Sequence, residues 1–168
     1  MNDKESKFLL GQTNETFVIT DLASSQDVRQ ALTRQAQKSI HIFDTALNDP
    51  LYREQEYIDI LRQFISAEGR PVVKVLISNI DQAMRNAHQF FYLSQRVPSH
   101  FQIRLAPQSY THSFFIADTT GYLDHRMGAG YEAEVNFNHP AHARSLINFF
   151  DDVWNRSSSP TDTRSLNL

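Results

Sequence analysis

Residues 110–123 read Tyr110-Thr111-His112-Ser113-Phe114-Phe115-Ile116-Ala117-Asp118-Thr119-Thr120-Gly121-Tyr122-Leu123, two apolar runs divided by a polar tetrapeptide. Ser113 to Ala117 is a strand by composition, Asp118 to Gly121 supplies turn residues, and Gly121-Tyr122-Leu123 returns as a second strand. Two more short strands flank this hairpin, Phe101-Gln102-Ile103-Arg104-Leu105 before it and Ala133 to Phe137 after it, with turns alone between them. Asn138-His139-Pro140 then opens a helix. Its Ala143, Leu146, Ile147, Phe150, Val153 and Trp154 recur at helical spacing and form one apolar face.

Upstream of residue 101 the pattern alternates between strand and helix. Phe17-Val18-Ile19-Thr20 is a short strand, and Ser24 or Ser25 is placed to cap a helix carrying Val28, Ala31, Leu32 and Ala36. Ser39-Ile40-His41-Ile42-Phe43 alternates as a strand does. Asn48-Asp49-Pro50 offers a cap and a first-turn proline for a helix with Ile58, Leu61 and Ile65, which Gly69 ends. Val72 to Ile77 reads as a buried parallel strand, because strands separated by helices need crossover connections. Lys74 interrupts it, which a strand end or a sheet edge accommodates. One long helix is expected from about Asp81 to Gln95, stopping before Pro98. The order is βαβαβαββββα, an α/β class with a mixed sheet sandwiched by helices.

The chain has 168 residues, 40% of them apolar, which suits one domain with a real core. Composition places that domain at residues 15–157, between expected flexible tails at 1–14 and 158–168. No Cys is present, which removes disulfides, thiolate zinc sites and cysteine nucleophiles. A net charge of −3 excludes a uniformly basic nucleic-acid coat, and of 16 basic residues only Lys4, Lys7, Lys38 and Lys74 are Lys. The start MNDKESK does not fit a signal peptide, and no apolar stretch approaches the roughly 18 residues of a membrane span. A cytoplasmic location is the expectation.

Chemistry concentrates between Tyr110 and Asn138, where Thr111, His112, Asp118, Asp124, His125, Arg126, Glu132, Glu134 and His139 lie close in sequence. On a strand, His112 is also what a hydrogen-bonded structural histidine looks like, and Asp118 is a residue that closes tight turns. His139 and His142 form a weak metal-ligand pair at a helix start, and no metal is expected. Arg126-Met127-Gly128-Ala129-Gly130 is one residue short of an acetyl-CoA pyrophosphate loop and does not open a helix, so no acetyl-CoA binding is expected. No other cofactor is implied.

Element order and motif together resemble the phospholipase D superfamily. Its HxKxxxxD strand is similar to Thr111–Asp118, the hairpin after it to Gly121-Tyr122-Leu123, and its Glu followed by "D-P-x-x-A" to Glu132 and Asn138-His139-Pro140-Ala141-His142-Ala143. In that family the His forms a phosphohistidine and the Lys neutralises the phosphoryl oxygens. With Asp118 as the motif Asp, Thr111 stands at the His position, Ser113 at the Lys position and Gly130 at the Asn position. His112 is one residue out of register, on the opposite strand face unless a bulge re-aims it. No Lys follows residue 74. The resemblance therefore implies the fold without the usual chemistry: a non-catalytic interaction or phosphate-ligand-binding module. The alternatives are a phosphodiesterase or nuclease using His112, Asp118 and Glu132, and a nucleic-acid-binding domain. Arg104, Arg126 and His125 are the candidate phosphate contacts. The family's habit of pairing single motifs implies a homodimer.

Overall fold

The computed structural model describes residues 7–126 and 132–160. Its elements are β1 (Phe17–Ile19), α1 (Leu22–Gln35), β2 (Ser39–Phe43), a 3₁₀ turn (Pro50–Arg53), α2 (Gln55–Ile65), β3 (Val72–Ile77), α3 (Ile80–Asn86), α4 (His88–Arg96), β4 (Phe101–Leu105), β5 (His112–Ala117), β6 (Gly121–Arg126), β7 (Ala133–Asn136) and α5 (Pro140–Asn155). The strands form one mixed sheet in the order β1-β7-β6-β5-β2-β3-β4. β2, β3 and β4 are parallel, while β5, β6, β7 and β1 continue the sheet antiparallel from β2. The expected class and element order hold, and β1 lies at the far edge beside β7.

Strand alternation divides the core in two. Ile40, Ile42, Val73, Val75, Ile77, Phe101, Ile103, Phe115, Ala117, Leu123 and Val135 pack on the side of α1, α2, α3 and α4. Phe43, Leu76, Phe114, Ile116 and Tyr122 face Ala143, Leu146, Phe150 and Val153 of α5. The spacing that made α5 amphipathic is thus the spacing that covers the second face. Lys74 lies on an interior strand, not an edge, and its Nζ sits 5.3 Å from the Trp154 ring centre, which gives a buried-stem amine a cation–π partner.

Four local expectations change. Asp21, not Ser24 or Ser25, caps α1, accepting the Ser24 amide at 2.8 Å. Asp49 and Pro50 start only the 3₁₀ turn; extended Glu54 separates it from α2. The single helix expected to run from Asp81 divides at Ala87 (φ −140°, ψ 54°), where Asn86 Nδ2 reaches Ala46 O and Asn48 Oδ1. That break turns α4 so that Phe90 packs against Tyr52 and Phe101.

The fourth concerns the ends. Residues 8–13 are packed rather than free: Phe8 stacks on Phe17 and Phe137, the Gly11 amide donates to Phe137 O, and the Leu10 amide donates to Gln35 Oε1. Gly121 permits this approach, since a Cβ there would lie 2.5 Å from Leu10 Cδ1 and 3.2 Å from Phe137 O. At the other end Ser158 pairs with Leu105.

Candidate functional site

The β5–β6 hairpin carries polar side chains on both faces, and antiparallel register sets which meet. Ser113 stands opposite His125, and Phe114 opposite Asp124. Ser113 and His125 therefore point toward α1, whereas His112, Asp124 and Tyr122 point toward α5.

On the α1 side lies a cavity of about 200 Å³. It is lined by Leu22, Ser25 and Arg29 of α1, by Asp44, Thr45, Asn48 and Asp49 after β2, and by Ser113, Leu123, His125 and Ala133. Residues at spacings of three and four fall on one helix face, which is why Leu22, Ser25 and Arg29 line it together. Asp44 follows the carboxyl end of parallel strand β2, where α/β folds place ligands. The Ser113 hydroxyl is 3.2 Å from His125 Nδ1. Arg29 donates through Nη1 to Ser25 Oγ at 2.5 Å and to Asp49 Oδ2 at 2.6 Å, and lies over the Tyr52 ring. Its side chain is 12% exposed and that of Asp49 9%, so the pair is largely desolvated. Asp49 Oδ1 also accepts from Gln26 Nε2 and the Leu51 amide. Asp44 accepts the Thr45 amide at 2.7 Å; burial pushes its carboxyl above the ordinary range, against the opposing pull of Arg29. The loop that presents these groups holds Leu47 at φ 56°, a strained backbone for a non-glycine residue.

On the α5 side, His112 Nε2 and His142 Nε2 both donate to Asp124, the first to Oδ1 and the second, at 3.0 Å, to Oδ2. Burial would raise the Asp124 carboxyl, but these two hydrogen bonds outweigh it and hold the group below its ordinary range. Asp124 is 6% exposed, His112 27% and His142 31%. His112 packs at a tilt against Phe114 and Phe149. No bulge re-aims it, since it stays in register with Arg126. It is thus on the opposite face from Ser113, and it links β5 to α5 through Asp124. Tyr122 donates to Glu134 Oε2 at 2.6 Å on the same side.

The other candidates disperse. Asp118 occupies the far end of β5, about 17 Å from Ser113 at roughly 3.3 Å per residue. There it accepts the Gln37, Lys38 and Ser39 amides at 2.7–3.1 Å and, with Thr119, takes positive φ in a hairpin turn. These bonds clamp the hairpin turn to the start of β2. Arg104, on edge strand β4, donates to Ser157 Oγ and Ser157 O and covers Trp154, so it pins the segment that follows α5 and does not reach the hairpin. Glu132 is exposed, ahead of β7. Residues 127–131, with Gly128 and Gly130, and the Arg126 side chain lie outside the described residues. His139 Nδ1 accepts the His142 amide as a helix cap, and His142 Nε2 is used by Asp124. Among the described residues no three His, Asp or Glu are grouped as a metal site needs.

Sequence reasoning missed Arg29, Asp44 and Asp49, which lie far upstream of the hairpin that begins at His112. The available signal was positional: Asp44 sits just past a predicted strand, and Arg29 lies on the α1 face that carries Ser25.

A family model described as a domain of unknown function (DUF7931) matches residues 21–166. Comparison with curated proteins finds no match. Among solved structures the fold is similar to TrmBL2, an archaeal chromatin protein whose structure shows a novel mode of DNA binding (TM-score 0.65, 13% identity, 86% of this chain and 53% of that one). It is similar to Nuc from Salmonella typhimurium, a phospholipase D family member (0.58, 17%, 86% and 98%). It also resembles phosphatidylserine synthase of Haemophilus influenzae (0.60, 19%, 86% and 38%). The chain thus spans about half of the chromatin protein and nearly all of Nuc. At these identities the likeness is one of fold, and the fold is phospholipase-D-like.

Proposed function

This chain belongs to the family described as a domain of unknown function (DUF7931), and we propose that it is a non-catalytic binding domain on a phospholipase-D-like fold, with the Ser113–His125 cavity as its ligand site. One observation carries the reading. The strand face that the family resemblance would fill with a nucleophilic His and a charge-neutralising Lys carries Thr111 and Ser113. Arg29, a cation that lines the cavity with Ser113, is tied to Asp49. A phosphoryl transition state needs uncompensated positive charge, and a guanidinium held at 2.6 Å by a carboxylate does not offer it. A cavity with a strained rim loop and convergent polar groups remains a fit for binding.

The test is hydrolysis of bis(p-nitrophenyl) phosphate by wild type, His112→Ala and His125→Ala. Release at buffer level in all three supports the reading; release that either substitution abolishes overturns it.

A nucleic-acid-binding role is the second reading, favoured by the fold shared with the chromatin protein. It calls for binding of a labelled oligonucleotide that weakens steeply with salt. Absence of binding at low salt removes it. A symmetric dimer through the hairpin region accords with the exposed Phe149 beside Tyr110 and Phe114. Sedimentation at tens of micromolar decides it, and a monomer there removes it.

A further inference from the structure

The charges around the cavity do not balance, and the imbalance has a sign. Arg29 is neutralised by Asp49, whose carboxylate is further occupied by Gln26 and the Leu51 amide. That leaves Asp44, which faces the same cavity and takes the Thr45 amide on Oδ1. Among the described residues, two carboxylates against one guanidinium make the cavity an unfavourable place for a phosphate, whatever a phospholipase-D-like fold suggests. A group that brings its own positive charge and N–H donors restores neutrality and adds a charged donor to the backbone amides that Asp44 already accepts. Around Asp44 the polar rim of Thr45, Asn48 and Ser113 offers further acceptors, while Leu22, Pro50, Leu123 and Ala133 form an apolar wall suited to a short carbon chain. A volume of about 200 Å³ is below the roughly 300–1,000 Å³ of cavities that hold drug-sized ligands, so the occupant is small.

Resting on the reading of this cavity as a ligand site, we propose that it takes a small primary-ammonium compound, with the ammonium on Asp44 and the carbon chain against Leu22 and Leu123. The Arg29–Asp49 pair then acts as the fixed floor beside Asp44. Among the described residues that line the cavity, Asp44 and Asp49 share the one guanidinium of Arg29, and the excess carboxylate charge is what attracts a cation.

The test is an amide NMR titration of the full chain with n-propylamine hydrochloride, inorganic phosphate and n-propanol in parallel. The proposal expects saturable shifts at Asp44, Thr45 and Ser113 with n-propylamine, and none with phosphate. It expects at least about tenfold weaker binding, roughly 1.4 kcal/mol, in Asp44→Asn. Leu22→Trp, which fills the cavity from its apolar wall without changing the charged residues, should also abolish the shifts and serves if Asp44→Asn does not fold. Saturable phosphate shifts in place of amine shifts, or equal binding of n-propanol, overturn the ligand class and leave the binding-domain reading standing. Silence from all three probes overturns both.

Discussion

The two faces of the β5–β6 hairpin use the same residue types to opposite ends. Toward α5, one carboxylate collects two imidazoles, His112 and His142, and the cluster is closed over by Phe114, Phe149 and Tyr122. Toward α1, two carboxylates share one guanidinium beside a cavity. A satisfied cluster holds elements together, whereas an unbalanced one beside open volume has capacity left for a ligand. A register shift of a single residue decides which face a histidine serves, and it is why His112 is a fastener and His125 a cavity wall.

The contrast is open to breaking by substitution, starting with the largest effect. Arg29→Ala leaves Asp49 and Asp44 without their cation in a largely dry site and should cost roughly 3–5 kcal/mol, measured by urea unfolding; a loss under 1 kcal/mol would mean the pair is not the floor of the cavity. The α5 face should respond to acid. Burial, with a smaller contribution from Lys74, holds buried His41 down at about 4, where Phe150 packs edge-on against it. The unfolded chain binds this proton near pH 6.5 and the native one does not until about pH 4, so stability falls as pH drops through that window and is complete above it. The loss is of order 3 kcal/mol, and His41→Phe should flatten the curve. An unchanged slope in that variant would assign the acid response to other groups.

Asp124→Ala should cost about 2–3 kcal/mol, from two charge-assisted hydrogen bonds partly open to water, without altering the cavity. Because the Asp124 carboxyl is held below its ordinary range, its contribution is present above about pH 3.8 and fades below it. Asp118→Asn is the smallest effect, near 1 kcal/mol, since the amide retains one acceptor oxygen for the amides of residues 37–39; thermal unfolding with a shift of several degrees beyond that would give Asp118 a role outside the clamp.

How far these features were legible in sequence follows from how local their causes are. Strand alternation around Phe114 and the spacing of Leu146, Phe150 and Val153 are local, and both faces of the core follow from them. The helix break at Ala87 depends on Asn86 meeting Ala46 and Asn48 across the fold, so periodicity runs through it unmarked. The packed segment at residues 8–13 depends on Gly121 giving way to Leu10, a contact over more than a hundred residues. The hairpin's polar residues were visible as a cluster, but Arg29, Asp44 and Asp49 join it only because β2 inserts between β3 and β5.

Histidine ring resonances resolve the two faces in one spectrum. During titration with n-propylamine the His125 signal, assigned by its loss in His125→Ala, should move saturably while those of His112 and His142 stay fixed. Movement of His112 and His142 with His125 unmoved would place the responsive site on the α5 face and contradict the account.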